Sequence, residues 1–140
     1  MTQVDFYVLD SGAAHARLQF TVKFVEKLFR DKLAVHVHAG DHGQLSQLDQ
    51  LLWTARDISF VPHEVSDSPL DHCPVTLNMG NFEGHEGILI NLAPEVPEFF
   101  SQFERVVEII NKQDADIAAG RNRYRFYKDR GYALINHTIG

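Results

Sequence analysis

The chain has 140 residues, 44% hydrophobic and 23% charged, with 13 Lys+Arg against 19 Asp+Glu. Ten Phe, four Tyr and one Trp exclude a disordered chain, and this length suffices for one soluble domain over residues 1–140 that buries about two-thirds of its unfolded surface. No apolar run reaches the ~20 residues of a membrane helix, no secretion signal follows Met1, and a lone Cys73 excludes disulfides and Cys-rich zinc modules, so a reduced, cytoplasmic protein without membrane partners is expected.

In chain order, the β-formers of Val4–Leu9 predict a strand that stops at Asp10-Ser11-Gly12, which supplies turn and N-cap chemistry. Leu18, Val22, Val25 and Phe29 recur at helical spacing, with Phe24 and Leu28 widening the stripe. A strand at Leu33–His38 follows, then a turn at Gly40-Asp41 and a helix through Leu45, Leu48, Leu51 and Leu52. Ser59-Phe60-Val61 stops at Pro62, and Asp67 to Pro74 reads as a loop. Val75–Met79 and Gly87–Leu92 predict two more strands, the second apolar enough to be central. Pro94 and Pro97 precede Phe99, and Phe103, Val106, Val107 and Ile110 have the spacing of a helix. A last helix runs from about Asp114 to Arg130 and ends at Gly131, a favourable C′ residue. Strands alternating with helices over short connections predict an α/β domain, with a mostly parallel sheet flanked by helices.

Such a sheet invites a nucleotide site, which needs a glycine-rich turn whose N–H groups wrap phosphate and a lysine to neutralise it. The first strand-to-helix turn, Asp10-Ser-Gly-Ala-Ala-His15, has neither the second glycine nor the lysine, and Asp10 would repel a pyrophosphate. His36-Val-His38-Ala-Gly-Asp41-His42 comes close to a zinc-hydrolase pattern but is one residue too long before the Asp. Alternation puts His36 and His38 on one strand face, as two ligands require, and a half-exposed strand backed by Val35, Val37 and Ala39 accounts for the same pattern. Ser11 and Ser59 lack a nucleophile elbow, and Cys73 beside His72 has no catalytic partner in sequence. No cofactor is expected.

Five of the ten residues from Arg121 to Arg130 are basic, against a formal net charge of −6 for the whole chain. That acidity argues against indiscriminate binding to a phosphate backbone. Arg121, Tyr124, Arg125 and Lys128 stand at i, i+3, i+4 and i+7 and so share one helix face. An aromatic ring between two guanidinium groups suits an anion carrying an apolar group, either a nucleobase with its phosphate or a peptide C-terminus with an aromatic side chain. Ile109 and Ile110, on the preceding element, are candidates to line such a site. The structural alternative is a solvated helix end whose cations complement the macrodipole. Trp53, with Phe60-Val61-Pro62-His63 after it, suits either a core edge or an exposed interface anchor.

Five segments together carry a resemblance: Val4-Asp-Phe-Tyr-Val-Leu-Asp10, Leu48-Asp-x-x-Leu-Trp53, Phe60-Val-Pro-His63, Ile88-Leu-Ile-Asn-Leu92 and Arg121-x-Arg-Tyr-Arg-Phe-Tyr-Lys-x-x-Gly-Tyr132. In order and spacing, over nearly the whole chain, they resemble the chi (χ) subunit family of bacterial DNA polymerase III holoenzyme. The resemblance implies an α/β fold like that of nucleotide-binding proteins but without the nucleotide site. It also implies a non-catalytic adaptor of the clamp-loader assembly with two partners, reaching DNA only indirectly. One is the psi (ψ) subunit, in a 1:1 heterodimer with a chain that is monomeric alone. The other is the acidic, Phe-terminated tail of single-stranded DNA-binding protein. The tail site implied by the family matches Arg121, Tyr124 and Arg125, with Lys128 on the same face and Ile110 as its aliphatic position. Where some relatives carry a further basic residue, Ile117 stands here. The ψ surface matches Trp53, Phe60, Val61 and Pro62. The competing reading is a metal-dependent hydrolase built on His36, His38, Asp41 and His42.

Overall fold

Strand β1 (Gln3–Leu9) leads into helix α1 (Ala16–Arg30), and strand β2 (Val35–His38) leads into helix α2 (His42–Thr54). The structure is a computed structural model and describes residues 2–13, 15–54, 62–84 and 87–139. Short strands β3 (Glu64–Val65), β4 (Val75–Asn78) and β5 (Ile88–Asn91) follow, then a 3₁₀ turn over Phe100–Gln102. Strand β6 (Arg105–Ile110), helix α3 (Asp114–Asp129) and strand β7 (Ala133–Ile139) complete the chain. Among the described residues the strands form one seven-stranded sheet, ordered β3-β4-β2-β5-β6-β1-β7, and every pairing is parallel.

Side-chain alternation sorts the core into two layers. Val35, Val37, Ile88, Ile90, Val107 and Ile109 face α1 and α2, which offer Leu18, Val22, Val25, Leu48 and Leu52. Val4, Phe6, Leu89, Val106 and Ile110 face the other way, onto Phe99, Phe100, Phe103 and Tyr127 of α3. So α1 and α2 cover one face and α3 covers the other.

The structure corrects the sequence reading at several points. The segment expected to be a helix through Phe103 and Ile110 is strand β6, lying between β5 and β1. Arg-Val-Val-Glu-Ile-Ile is mostly β-branched and buried on both sides, and a doubly buried strand shows a continuous apolar run rather than alternation. The helical spacing was a subset of that run. Strand β7 was not anticipated; it pairs with β1 from Gln3↔Ala133 to Leu9↔Ile139. Strand β2, expected to be half exposed, is buried at all four positions. Ser11 does not cap α1: its hydroxyl accepts from the Ala13 N–H at 3.1 Å, and the helix begins at Ala16.

Two expected boundaries have clear chemistry. At the start of α2, Asp41 Oδ1 accepts the Gln44 N–H at 2.8 Å while Gln44 Oε1 accepts the Gly40 N–H at 2.7 Å, a reciprocal cap. At the end of α3, Gly131 takes φ 81°, its N–H bonds to Lys128 O and the Tyr132 N–H bonds to Tyr127 O. That is a Schellman closure, which a side chain with a Cβ would strain.

Candidate functional site: a basic–aromatic helix face

Helix α3 docks closely because Gly120 lies against strand β6; a Cβ there would collide with Cδ1 of Ile110. This approach sets the two sides of the helix. Gly120, Arg123 and Tyr127 turn inward and are buried, whereas Arg121, Arg125 and Lys128 are exposed. Between them Tyr124 is half-buried, edge-on to Phe6 with ring centroids 5.2 Å apart. Ile117 is half-buried against the same cluster, and Ile110 is buried within it. The face therefore offers Tyr124 and Ile117 as an apolar wall, backed by Ile110 and flanked by three cations. None of the three cations has a salt-bridge partner among the described residues.

The structure removes two of the five basic residues from this surface. Arg130 folds onto Phe126, its guanidinium 3.6 Å from the ring centroid, and donates to Phe126 O at 3.2 Å. Arg123 is buried and pairs with Glu108 at 2.8 Å, also donating to Pro94 O at 3.1 Å. Ile109, a sequence candidate beside Ile110, points to the opposite side of the sheet, toward α1 and α2, and cannot line the face.

Sequence reasoning missed the group beneath α3. Glu108, on β6, is fully buried and accepts from Arg123 Nε at 2.8 Å, Asn91 Nδ2 at 2.9 Å and Tyr127 Oη at 2.6 Å. Burial raises the Glu108 pKa, and Arg123, Asn91 and Tyr127 offset only part of that rise. Burial and the Glu108 carboxylate also hold the Tyr127 phenol far above its ordinary range, so it remains a donor. The available signal was a lone acid inside an otherwise apolar β-branched run, with Arg123 and Tyr127 one turn apart.

The second surface lies on the other face of the sheet. Trp53, at the end of α2, is 51% exposed, and its ring sits 4.8 Å from that of His63. His63 is buried and bonded to the Asp49 carboxylate at 2.9 Å. Pro62 is half-buried. Phe60 and Val61 lie outside the described residues.

The metal reading loses its geometry. His36 and His38 share a face, as alternation requires, but His36 bonds to Thr76 Oγ1 at 2.8 Å and stacks on Phe82 with centroids 3.8 Å apart. His38 meets Phe99 edge-on at 5.3 Å, Asp41 caps α2, and His42 is exposed. Among the described residues no group of three or more His, Cys, Asp or Glu side chains is arranged to hold a metal.

Burial drives the His36 pKa from 6.5 down to about 3, and the neighbouring His38 adds to the shift. Between those values the unfolded chain takes up a proton that the folded chain refuses, so stability is complete above pH 6.5 and falls as pH drops. Urea unfolding should give a clearly lower midpoint at pH 5 than at pH 7, at about 1.4 kcal/mol per pH unit from this group. His36→Gln should flatten the dependence; an equal wild-type midpoint at both pH values would contradict a neutral buried imidazole.

Comparison with known proteins agrees in family over the whole chain. A family model for the DNA polymerase III chi subunit, HolC, matches residues 1–135. DNA polymerase III subunit chi of Pseudomonas aeruginosa is 39% identical over 140 residues, covering 99% of this chain and 98% of that protein. The proteins of the same name from Escherichia coli and Haemophilus influenzae are 27% identical over 145 residues and 24% over 139, with coverage of at least 96% on both sides. Among the described residues no helix is long and apolar enough to cross a membrane.

Proposed function

The chain belongs to the chi subunit family of DNA polymerase III, and from that premise we propose that it is a non-catalytic adaptor of the replication machinery. It joins the ψ subunit of the clamp loader to the acidic, Phe-terminated tail of single-stranded DNA-binding protein. One observation carries the reading: Arg121, Arg125 and Lys128, unpaired among the described residues, stand along one side of the half-buried Tyr124 and Ile117. Guanidinium groups can grip a terminal carboxylate and upstream acids, and the apolar wall can bury a phenyl ring. The exposed Trp53 supports a second anchor, for ψ, together with Phe60, Val61 and Pro62. Because α2 and α3 pack on opposite faces of the sheet, the two partners would not compete for one surface.

The non-catalytic reading is supported at the carboxyl ends of the strands, where α/β folds otherwise bind ligands. There Asp10 pairs with Lys112 at 2.5 Å, so an acid and its own counter-ion stand where a phosphate cradle would be. In this role the chain is cytoplasmic, monomeric alone and 1:1 with ψ, and meets DNA only through its partners. Sedimentation of the chain mixed with ψ and a tail peptide tests the adaptor. A 1:1:1 complex is expected, and release of ψ by the peptide would contradict two separate surfaces.

A further inference from the structure

We propose that Glu108 is a positioning residue for the tail-binding face, fixing through Arg123 and Tyr127 the rotation at which α3 presents Arg121, Tyr124 and Arg125. The inference rests on the reading of that face as the tail site. The apolar contacts under α3, Gly120 on Ile110 and Tyr124 on Phe6, set how closely the helix approaches the sheet but carry no hydrogen-bond direction. Hydrogen bonds to a buried carboxylate are directional, and two of the donors are also tied elsewhere. Arg123 is tied to Pro94 O as well as to Glu108. Asn91, on β5, donates to Glu95 O and to Glu108, and its own side-chain oxygen accepts from the Ala93 N–H. Tyr127, one turn beyond Arg123, supplies the third donor to the carboxylate. A twist by one residue would carry Arg123 and Tyr127 away from a fully buried carboxylate that then kept only Asn91, so the network favours one orientation of α3. Since Tyr124 and Arg125 follow Arg123 on the same helix, their directions are set with it.

A merely stabilising role and a positioning role give different results when the network is replaced by apolar residues of similar shape. In such replacements stability is commonly kept or raised, while the directional constraint disappears. The test is the triple variant Glu108→Leu, Arg123→Met, Tyr127→Phe, with urea unfolding, ψ binding and the anisotropy of a fluorescent tail peptide as readouts. The expected result is an unfolding midpoint no lower than wild type, unchanged ψ binding, and tail affinity reduced by about tenfold or more, as for a displaced anchor. Wild-type tail affinity in the folded triple variant overturns the positioning role. If the triple variant does not fold, Tyr127→Phe alone decides, since it removes one hydroxyl and leaves the ring in the core. Weaker tail binding with intact ψ binding supports the role, and unchanged tail binding overturns it. Arg125→Glu, measured alongside, separates the two levels. Lost tail binding there with wild-type affinity in the triple variant removes only the positioning role, whereas wild-type affinity in Arg125→Glu removes the site and the role together.

Discussion

Glu108→Ala should lower the stability of the domain by about 3–5 kcal/mol, because it strands the Arg123 guanidinium in the core. The variant also leaves Tyr127 Oη without its partner, and costs Asn91 Nδ2 one of its two acceptors. That loss is a large part of the roughly 5–15 kcal/mol by which domains are stable. Arg123→Ala should cost a similar amount, from the opposite unpaired charge. The double variant should cost less than the two single losses added, since both singles break one pair. Urea unfolding of the three variants at pH 7 measures all of these. A loss under about 1 kcal/mol in both single variants would mean that water reaches the pair and screens it as on a surface.

Deleting the terminal Phe from the tail peptide should weaken binding by about ten- to a hundredfold at any salt concentration, since burying such a ring is worth roughly 1.5–3 kcal/mol. Salt should act separately. Arg121, Arg125 and Lys128 are exposed, so their attraction to acidic residues is screened over about 10 Å at 0.1 M. Raising salt should weaken the full-length and the shortened peptide by similar factors, leaving the ratio between them nearly constant. Isothermal titration over a salt series reads both slopes. A ratio that collapses toward one at low salt would assign all the binding to charge and none to the apolar wall. Ile117 sharpens the expectation, because it adds apolar surface beside Tyr124.

The sequence was most informative where one local rule acted alone. The amphipathic stripe of α1, the Asp41 cap of α2 and the Gly131 closure of α3 are each set by residues close in the chain, and each boundary falls within a few residues of its expected place. The common face of Arg121, Tyr124 and Arg125 was legible for the same reason, since helical spacing alone decides it. Failures came where tertiary context decides. The 103–110 segment has apolar residues at both helical and strand spacing, and its β-branched residues and its place between β5 and β1 select the strand from Arg105 on. Strand β7 has only the short apolar run Ala133-Leu134-Ile135 before Asn136, His137 and Thr138, and it is held mainly by pairing with β1. His36 and His38 resembled ligands because alternation cannot tell a polar face from a buried one; here Thr76, Phe82 and Phe99 fill the space. Arg123 was counted with its exposed neighbours because its partner lies 15 residues earlier, on another element.

The most direct measurement of the central claim is the affinity of a fluorescent single-stranded DNA-binding-protein tail peptide for the wild-type chain and for Arg125→Glu. Arg125 is exposed and unpaired among the described residues, so the reversal leaves the core and the Trp53 surface untouched. Binding by the wild type, its loss in Arg125→Glu, and equal capture of ψ by both proteins are the predicted results. Wild-type tail affinity in Arg125→Glu would contradict the assignment of the tail to this face.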